Sequence, residues 1–99
     1  MVLEVVTLEV NAGQEAAFET AFSEAQLIIS KAKGYRSHEL KRCIETETRY
    51  ILFIEWETLE DHTVGFRGSD LYQEWRQKLH HFYRHVVVEH YADLPGLTQ

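Results

Sequence analysis

The sequence has little cysteine and little proline: Cys43 is its one cysteine, and it has one proline in 99 residues. A lone cysteine excludes a disulfide framework and a thiolate metal cluster. No apolar run approaches the roughly 20 residues that a membrane-spanning helix requires. The N-terminal stretch "MVLEVVTLEV" lacks the basic segment and the small-residue cleavage site of a signal peptide, so we expect a cytoplasmic protein.

Basic residues are also few. The ten lysines and arginines are spread along the chain against 16 acidic residues, which gives a net charge of -6 and a pI near 5.4. Binding to nucleic acid needs a concentrated basic face, and we therefore expect no such partner. With 44% hydrophobic and 26% charged residues, the composition is that of a folded globular chain. The length predicts a single domain over 1–99, with a core at 2–92 and a C-terminal tail at 93–99.

Apolar periodicity predicts strands and helices in alternation. Alternating and β-branched residues predict strands at 2–10, 35–43, 49–57 and 85–91. Spacings of three and four predict a helix at 13–32, a short helix at 59–66 and a longer one from Ser69 to about residue 82. Thr58 and Ser69 are the candidate N-caps, and Gly34 is the candidate C-cap glycine of the first helix.

The order β-α-β-β-α-β predicts an α+β, ferredoxin-like fold, with a four-stranded antiparallel sheet and both helices on one face. The strand at 49–57 is apolar on both sides, because Tyr50, Leu52, Ile54 and Trp56 alternate with Ile51 and Phe53. Helices cover one side of a sheet. We therefore predict a homodimer in which the other face, including Phe53 and Val87, packs on a second copy.

The stretch "EDHTVGFRGSDLYQEW" breaks a helical pattern at Gly65 and Gly68. A phosphate cradle is not indicated, since the stretch lacks the lysine of a P-loop and the strand that precedes a dinucleotide fingerprint. The glycines are better explained by a joint between two helices. Whether that joint also gates a pocket is a hypothesis about function.

The stretch "FIEWETLEDHTVGFRGSDLYQEW" carries a family resemblance: a strand ending Glu-x-Trp-Glu, a capped short helix, then Ser-Asp opening a long helix. Over residues 2–92 the chain resembles the antibiotic biosynthesis monooxygenase domain of the dimeric α+β barrel superfamily. The resemblance implies a pocket between sheet and helices in each subunit. It also implies oxidation of a phenol or quinol without metal or flavin, in which the deprotonated substrate itself reduces oxygen.

The haem-degrading members of that family carry an asparagine in strand one, a tryptophan in the short helix and a histidine in the long helix. The matching positions of this sequence hold Val6, Phe66 and Arg76. Since none matches, we expect no haem, and we predict no cofactor.

Five residues are candidates for the site that the resemblance implies. His62 is the candidate catalytic base, because an imidazole titrates near neutral pH, although an exposed histidine near a helix start is the plainer interpretation. Trp56 and Phe66 are candidate aromatic walls or core residues. Arg67 and His38 are candidate stabilisers of a substrate anion, against a solvated arginine and a structural histidine.

Metal binding is a weaker alternative. His81 and His85 have the i,i+4 spacing of two ligands on one helix face, but the helix is predicted to end near residue 82. His90 lies further along an extended strand, and no third ligand accompanies the pair. We predict no metal site.

The first functional hypothesis is thus a cofactor-independent monooxygenase that acts on a small phenolic or quinol compound. The second is a non-catalytic dimeric barrel, stress-associated or binding a small aromatic ligand. The third is an isomerase of the same fold, which would turn over without oxygen. Fold alone does not separate the three.

Overall fold

The structure is a computed structural model, and it describes residues 1–97. The elements follow in the order β1 (Val2–Val10), α1 (Glu15–Ile29), β2 (Tyr35–Arg42), β3 (Arg49–Trp56), a π-helical segment (Asp61–Phe66), α2 (Asp70–Leu79), a 3₁₀ turn (His80–Phe82) and β4 (Tyr83–Ala92). The predicted α+β, ferredoxin-like order is confirmed. Residues 98 and 99 of the predicted tail lie outside the described residues.

The four strands form one antiparallel sheet in the order β2-β3-β1-β4. The even-numbered side chains of β1 from Glu4 onward and those of β3 point toward the helices and are buried. The spacings of three and four in α1 form one apolar stripe, which is buried against them: Phe18, Phe22, Ala25 and Ile29. Helix α2 adds Trp75 and Leu79. Both helices therefore cover one face of the sheet, as the sequence predicts.

The prediction for α1 was too long at both ends. Gly13 has φ 86°, a left-handed conformation that ends the preceding turn, and α1 begins two residues later at Glu15. At the other end Ser30 is the C-cap, so Gly34 is not the C-cap glycine that we predicted. Gly34, with φ 82°, instead forms the turn that enters β2.

The second helical region departs from the predicted pair of α-helices. Its short helix is α-helical at residues 59–60 and then π-helical, and α2 ends at Leu79 rather than near 82. Both predicted N-caps are confirmed. Thr58 Oγ1 accepts from the backbone N–H of Asp61 at 3.1 Å, and Ser69 Oγ accepts from that of Tyr72 at 3.3 Å.

No helix within residues 1–97 is both long enough and apolar enough to span a membrane.

Candidate active site

The strand register places two ionisable side chains next to each other on the helix-covered face. Glu4 of β1 pairs directly with Ile54 of β3 on one side and with His90 of β4 on the other. Cross-strand partners point to the same face, with their Cβ atoms roughly 5 Å apart. A carboxylate and an imidazole are thereby brought together beneath the helices.

The π-helical segment places His62 over β1 and β4, the strands that carry Glu4 and His90. Its wide turn is closed by an i→i+5 bond, in which the backbone N–H of Arg67 donates to the carbonyl of His62 at 3.1 Å. His62 and Phe66 are the buried residues of the segment. The segment thus turns one imidazole and one phenyl ring toward the sheet.

Gly68 allows the chain to leave this segment sharply. A Cβ at Gly68 would lie 2.8 Å from the carbonyl oxygen of Val64, which is closer than real side chains approach. At Gly65 the nearest atom is the carbonyl oxygen of Glu60, at an ordinary 3.7 Å. Gly68 is therefore a steric requirement of the joint, whereas Gly65 is not.

Glu4, His62 and His90 form a line of polar contacts. Trp56 Nε1 donates to Glu4 Oε1 at 2.9 Å, and His62 Nε2 lies 3.3 Å from Glu4 Oε2. On its other side, His62 Nδ1 shares a hydrogen bond of 2.8 Å with His90 Nε2. The indole of Trp56 stacks on the imidazole of His62 with ring centroids 5.4 Å apart, which limits how far that ring can tilt.

A cavity of about 120 Å³ opens beside this line, between the sheet and α2. Glu4, His62 and Arg67 are among its lining residues, and most of the rest is apolar or aromatic, including Phe66 and Trp75. Glu4 and His62 are each 4% exposed, whereas Arg67 reaches solvent. A ligand site commonly has this pattern, in which a few polar groups converge in a mostly apolar pocket.

Burial dominates the electrostatics of the pair. It raises the pKa of Glu4 to about 7, against the opposing effects of the Trp56 hydrogen bond and the Arg67 charge. It lowers the pKa of His62 to about 4, and the positive charges of Arg67 and His90 act in the same direction. Between these values the acid and the imidazole are both neutral, which is the least costly state for buried groups. Perturbed titration in a pocket is typical of functional sites.

The structure brings three of the five predicted site residues to this place. His62, Phe66 and Arg67 line the cavity. Trp56 is fully buried behind His62 and Phe66, and contacts both rings without lining the cavity. It supports the site from the core side.

His38 is not brought to the site. It lies on β2, two strands from Glu4 and therefore on the order of 10 Å away. Its Nε2–H donates to Gln26 Oε1 at 2.8 Å, and its Nδ1 accepts from the Tyr35 hydroxyl at 2.5 Å. This half-buried imidazole has both nitrogens occupied and ties β2 to α1.

Sequence reasoning missed Glu4 and considered His90 solely as a metal ligand. A signal for Glu4 is present, because it is the one charged residue in phase with the buried Val6, Leu8 and Val10 of β1. An acid on the apolar face of a strand must find a partner when it is buried. No comparable pattern marks His90, whose role depends on the register between β1 and β4.

His81 and His85, the pair with i,i+4 spacing in the sequence, do not share a helix face, since β4 begins at Tyr83. Across residues 1–97, no three His, Cys, Asp or Glu side chains converge so as to hold a metal ion. Glu4, His62 and His90 lie in a row, with His62 in the middle.

Fold and cavity together define a ferredoxin-like α+β domain with a mostly apolar pocket and a buried acid–imidazole pair. The family model for antibiotic biosynthesis monooxygenases matches residues 1–78, and the chain belongs to that family.

Individual proteins agree with this assignment. The uncharacterized protein YczJ of Bacillus subtilis is 52% identical over 95 residues, which cover 95% of this chain and all of YczJ. A Bordetella bronchiseptica crystal structure assigned to the antibiotic biosynthesis monooxygenases is 33% identical, with a TM-score of 0.90 over 94% of this chain and 96% of that one. SnoaB, a cofactor-independent oxygenase of Streptomyces nogalater, shares the fold with a TM-score of 0.83 at 16% identity, covering 99% of this chain and 97% of its own.

Proposed function

We propose that this protein is a cofactor-independent monooxygenase that oxidises a small phenolic or quinol compound with a single ring. The observation that carries the proposal is the Glu4–His62 pair, buried at the wall of an otherwise mostly apolar cavity. Membership of the monooxygenase family supports the reaction type. The pair supplies what the reaction needs from a protein, which is a proton acceptor in a dry site.

The size of the cavity supports a single ring. An apolar cavity of ~150 Å³ accommodates benzene, and the cavity described above measures about 120 Å³. Phe66 and Trp75 meet edge to face with ring centroids 6.3 Å apart and give the substrate aromatic surfaces to pack against.

In the proposed reaction the hydroxyl proton of the substrate passes to the Glu4–His62 pair. Glu4 receives it at the cavity wall, because both nitrogens of His62, the predicted base, are held within the pair and by His90. Arg67, at the cavity wall, stabilises the phenolate that results. The electron-rich ring carbon then forms a bond to O₂, and the peroxide anion takes a proton back from the pair. Loss of the C–H proton and cleavage of the O–O bond give a quinone and water. Phenol and O₂ thus balance quinone and water, and the substrate supplies the electrons.

The test is oxygen uptake by chelator-treated protein with single-ring hydroquinones and phenols, beside naphthols and anthrones as larger compounds. We expect uptake with single-ring compounds, and a fall of roughly 10²- to 10⁴-fold in kcat in His62→Ala, the range that a positioned acid or base contributes. His81→Ala is the matched control, because His81 is an exposed histidine of the 3₁₀ turn, which lies outside the sheet, and it does not line the cavity.

Three results contradict the proposal. Binding of these compounds with no oxygen uptake favours the ligand-binding hypothesis, and conversion of a compound without oxygen favours an isomerase. Equal loss of activity in His62→Ala and His81→Ala removes His62 from the chemistry.

A further inference from the structure

Glu4, His62 and His90 form a row of polar contacts. The hydrogen bond between His62 and His90 is the shortest contact in this row, and it constrains both rings. One imidazole must donate and the other accept, because a neutral ring carries a single N–H. The tautomer of His62 is therefore coupled to that of His90. The tautomer of His62 also decides whether its Nε2 faces Glu4 Oε2 with a proton or with a lone pair.

We propose that His90 is the positioning residue of the Glu4–His62 pair and the outlet through which this pair exchanges its proton with solvent. The inference rests on the function proposed above for its catalytic meaning. His90 suits the role because it lies on β4, an edge strand of the sheet, and is half-buried, whereas Glu4 and His62 are closed off from water. Among residues 1–97, Nδ1 of His90 has no hydrogen-bond partner, so it is the nitrogen left to meet solvent.

The transfer moves three protons, each of them along one hydrogen bond. Protonated Glu4 gives its proton to Nε2 of His62, and Nδ1–H of His62 gives its proton to Nε2 of His90. Nδ1–H of His90 then gives its proton to water. Both imidazoles end neutral, as they began. Glu4 becomes a carboxylate that accepts a hydrogen bond from Nε2–H of His62. The pair can thus be prepared as a base while substrate fills the cavity.

The charges around the row fit this direction of transfer. Arg67, from the joint after the π-helical segment, favours the carboxylate of Glu4 and disfavours an imidazolium at His62 and His90. Trp56, from β3, donates to Glu4 and keeps one carboxylate oxygen occupied in both states. The other titratable groups of the cavity are the hydroxyls of Tyr72 on α2 and Tyr83 on β4. Burial raises the pKa of Tyr83, so this hydroxyl stays neutral throughout.

The test needs no substrate, so it is independent of whether the proposed oxidation occurs. Imidazole ¹⁵N chemical shifts, followed by NMR from pH 5.5 to 8.5, distinguish the two neutral tautomers from the imidazolium. We expect His62 and His90 to change tautomer together, with a common midpoint near that of Glu4. In Glu4→Gln, which cannot titrate, neither ring should switch.

Two results overturn the inference. The first is titration of His62 and His90 as independent imidazolium groups with separate midpoints. The second is a coupled switch that persists unchanged in Glu4→Gln.

Turnover supplies a second measurement. His90→Gln should lower kcat by roughly tenfold or more and shift its pH profile, with KM little changed, since proton transfer rather than binding is impaired. His81→Gln, the matched change of an exposed histidine outside the sheet, should leave both constants and the profile unchanged. An unaltered pH profile in an active His90→Gln variant contradicts the role of His90. Absence of oxygen uptake in the unmodified protein contradicts the proposed oxidation and leaves the NMR result to decide the relay.

Discussion

At the scale of single residues, Glu4 makes the strongest prediction about stability. Its pKa is about 7 in the folded protein, against 4.5 for an ordinary glutamate, so the folded state binds its proton more tightly than the unfolded state does. Stability from this group is complete below pH 4.5 and is lost as the pH rises through 7. Glu4→Gln removes this loss of stability at high pH, because glutamine cannot titrate, and it keeps the shape of the side chain.

We therefore expect the free energy of unfolding of Glu4→Gln, relative to the unmodified protein, to rise by roughly 2–3 kcal/mol between pH 5 and pH 8. Urea denaturation at the two pH values measures it. Glu60→Gln, which changes an exposed glutamate, is the matched control. A pH-independent difference for Glu4→Gln, or an equal slope for both variants, would show that Glu4 is not held in the state described.

Residues of the site differ in how far the sequence alone reveals them. His62 and Phe66 were named from the sequence, because the family resemblance implies a pocket between sheet and helices. The plainer interpretation of His62 as an exposed histidine is wrong, since the side chain is buried. Glu4 carried a signal in its phase along β1. His90 carried none: its contact with His62 depends on the pairing of β1 with β4 and on a π-helical turn, neither of which is local in the sequence. A shift of one residue in register would move His90 to the opposite face of the sheet.

At the scale of elements, the strands and the helix N-caps followed from local chemistry, whereas the C-cap of α1 and the joint did not. Alternation and β-branched residues located all four strands to within two residues at either end. The wide π turn replaces i→i+4 bonds by an i→i+5 bond, and its justification is tertiary: it delivers His62 to Glu4. Two glycines in the joint looked equivalent in the sequence, and the structure separates them.

That separation is measurable with Gly68→Ala and Gly65→Ala. The first places a Cβ against the backbone oxygen of Val64, and we expect a loss of roughly 1–3 kcal/mol, as for other overpacked sites. The second meets nothing closer than 3.7 Å inside a helical segment and should be neutral or stabilising by up to about 1 kcal/mol. Urea unfolding measures the change in the free energy of unfolding for both variants. Equal changes, or a larger loss in Gly65→Ala than in Gly68→Ala, would refute the steric role of Gly68.

At the scale of the whole molecule, the face of the sheet away from the helices has an apolar centre that is uncovered in one chain. Phe53 lies beside Val5, and Val87 beside Thr7, so all four share that face. Val87 is 41% exposed and Phe53 is half-buried. Apolar side chains concentrated on one face are typical of an interface, and a second copy of the same sheet is the partner that we predict.

We expect the unmodified protein to sediment as a dimer, and Phe53→Asp and Val87→Asp to sediment as monomers. A carboxylate buried between two apolar sheets has no partner to offset its lost hydration, and the two-fold relation places each change in the interface twice. Leu27→Asp is the control, since Leu27 is an exposed leucine on α1, away from the sheet. If both sheet variants remained dimeric, the copies would meet through another surface; if the unmodified protein sedimented as a monomer, the apolar face would need a different explanation.

Because β4 contributes Val87 to this face and His90 to the other, the same variants also show whether dimerisation is needed to hold the Glu4–His62–His90 row in register. In that case the monomeric variants lose the coupled change of tautomer as well as the dimer.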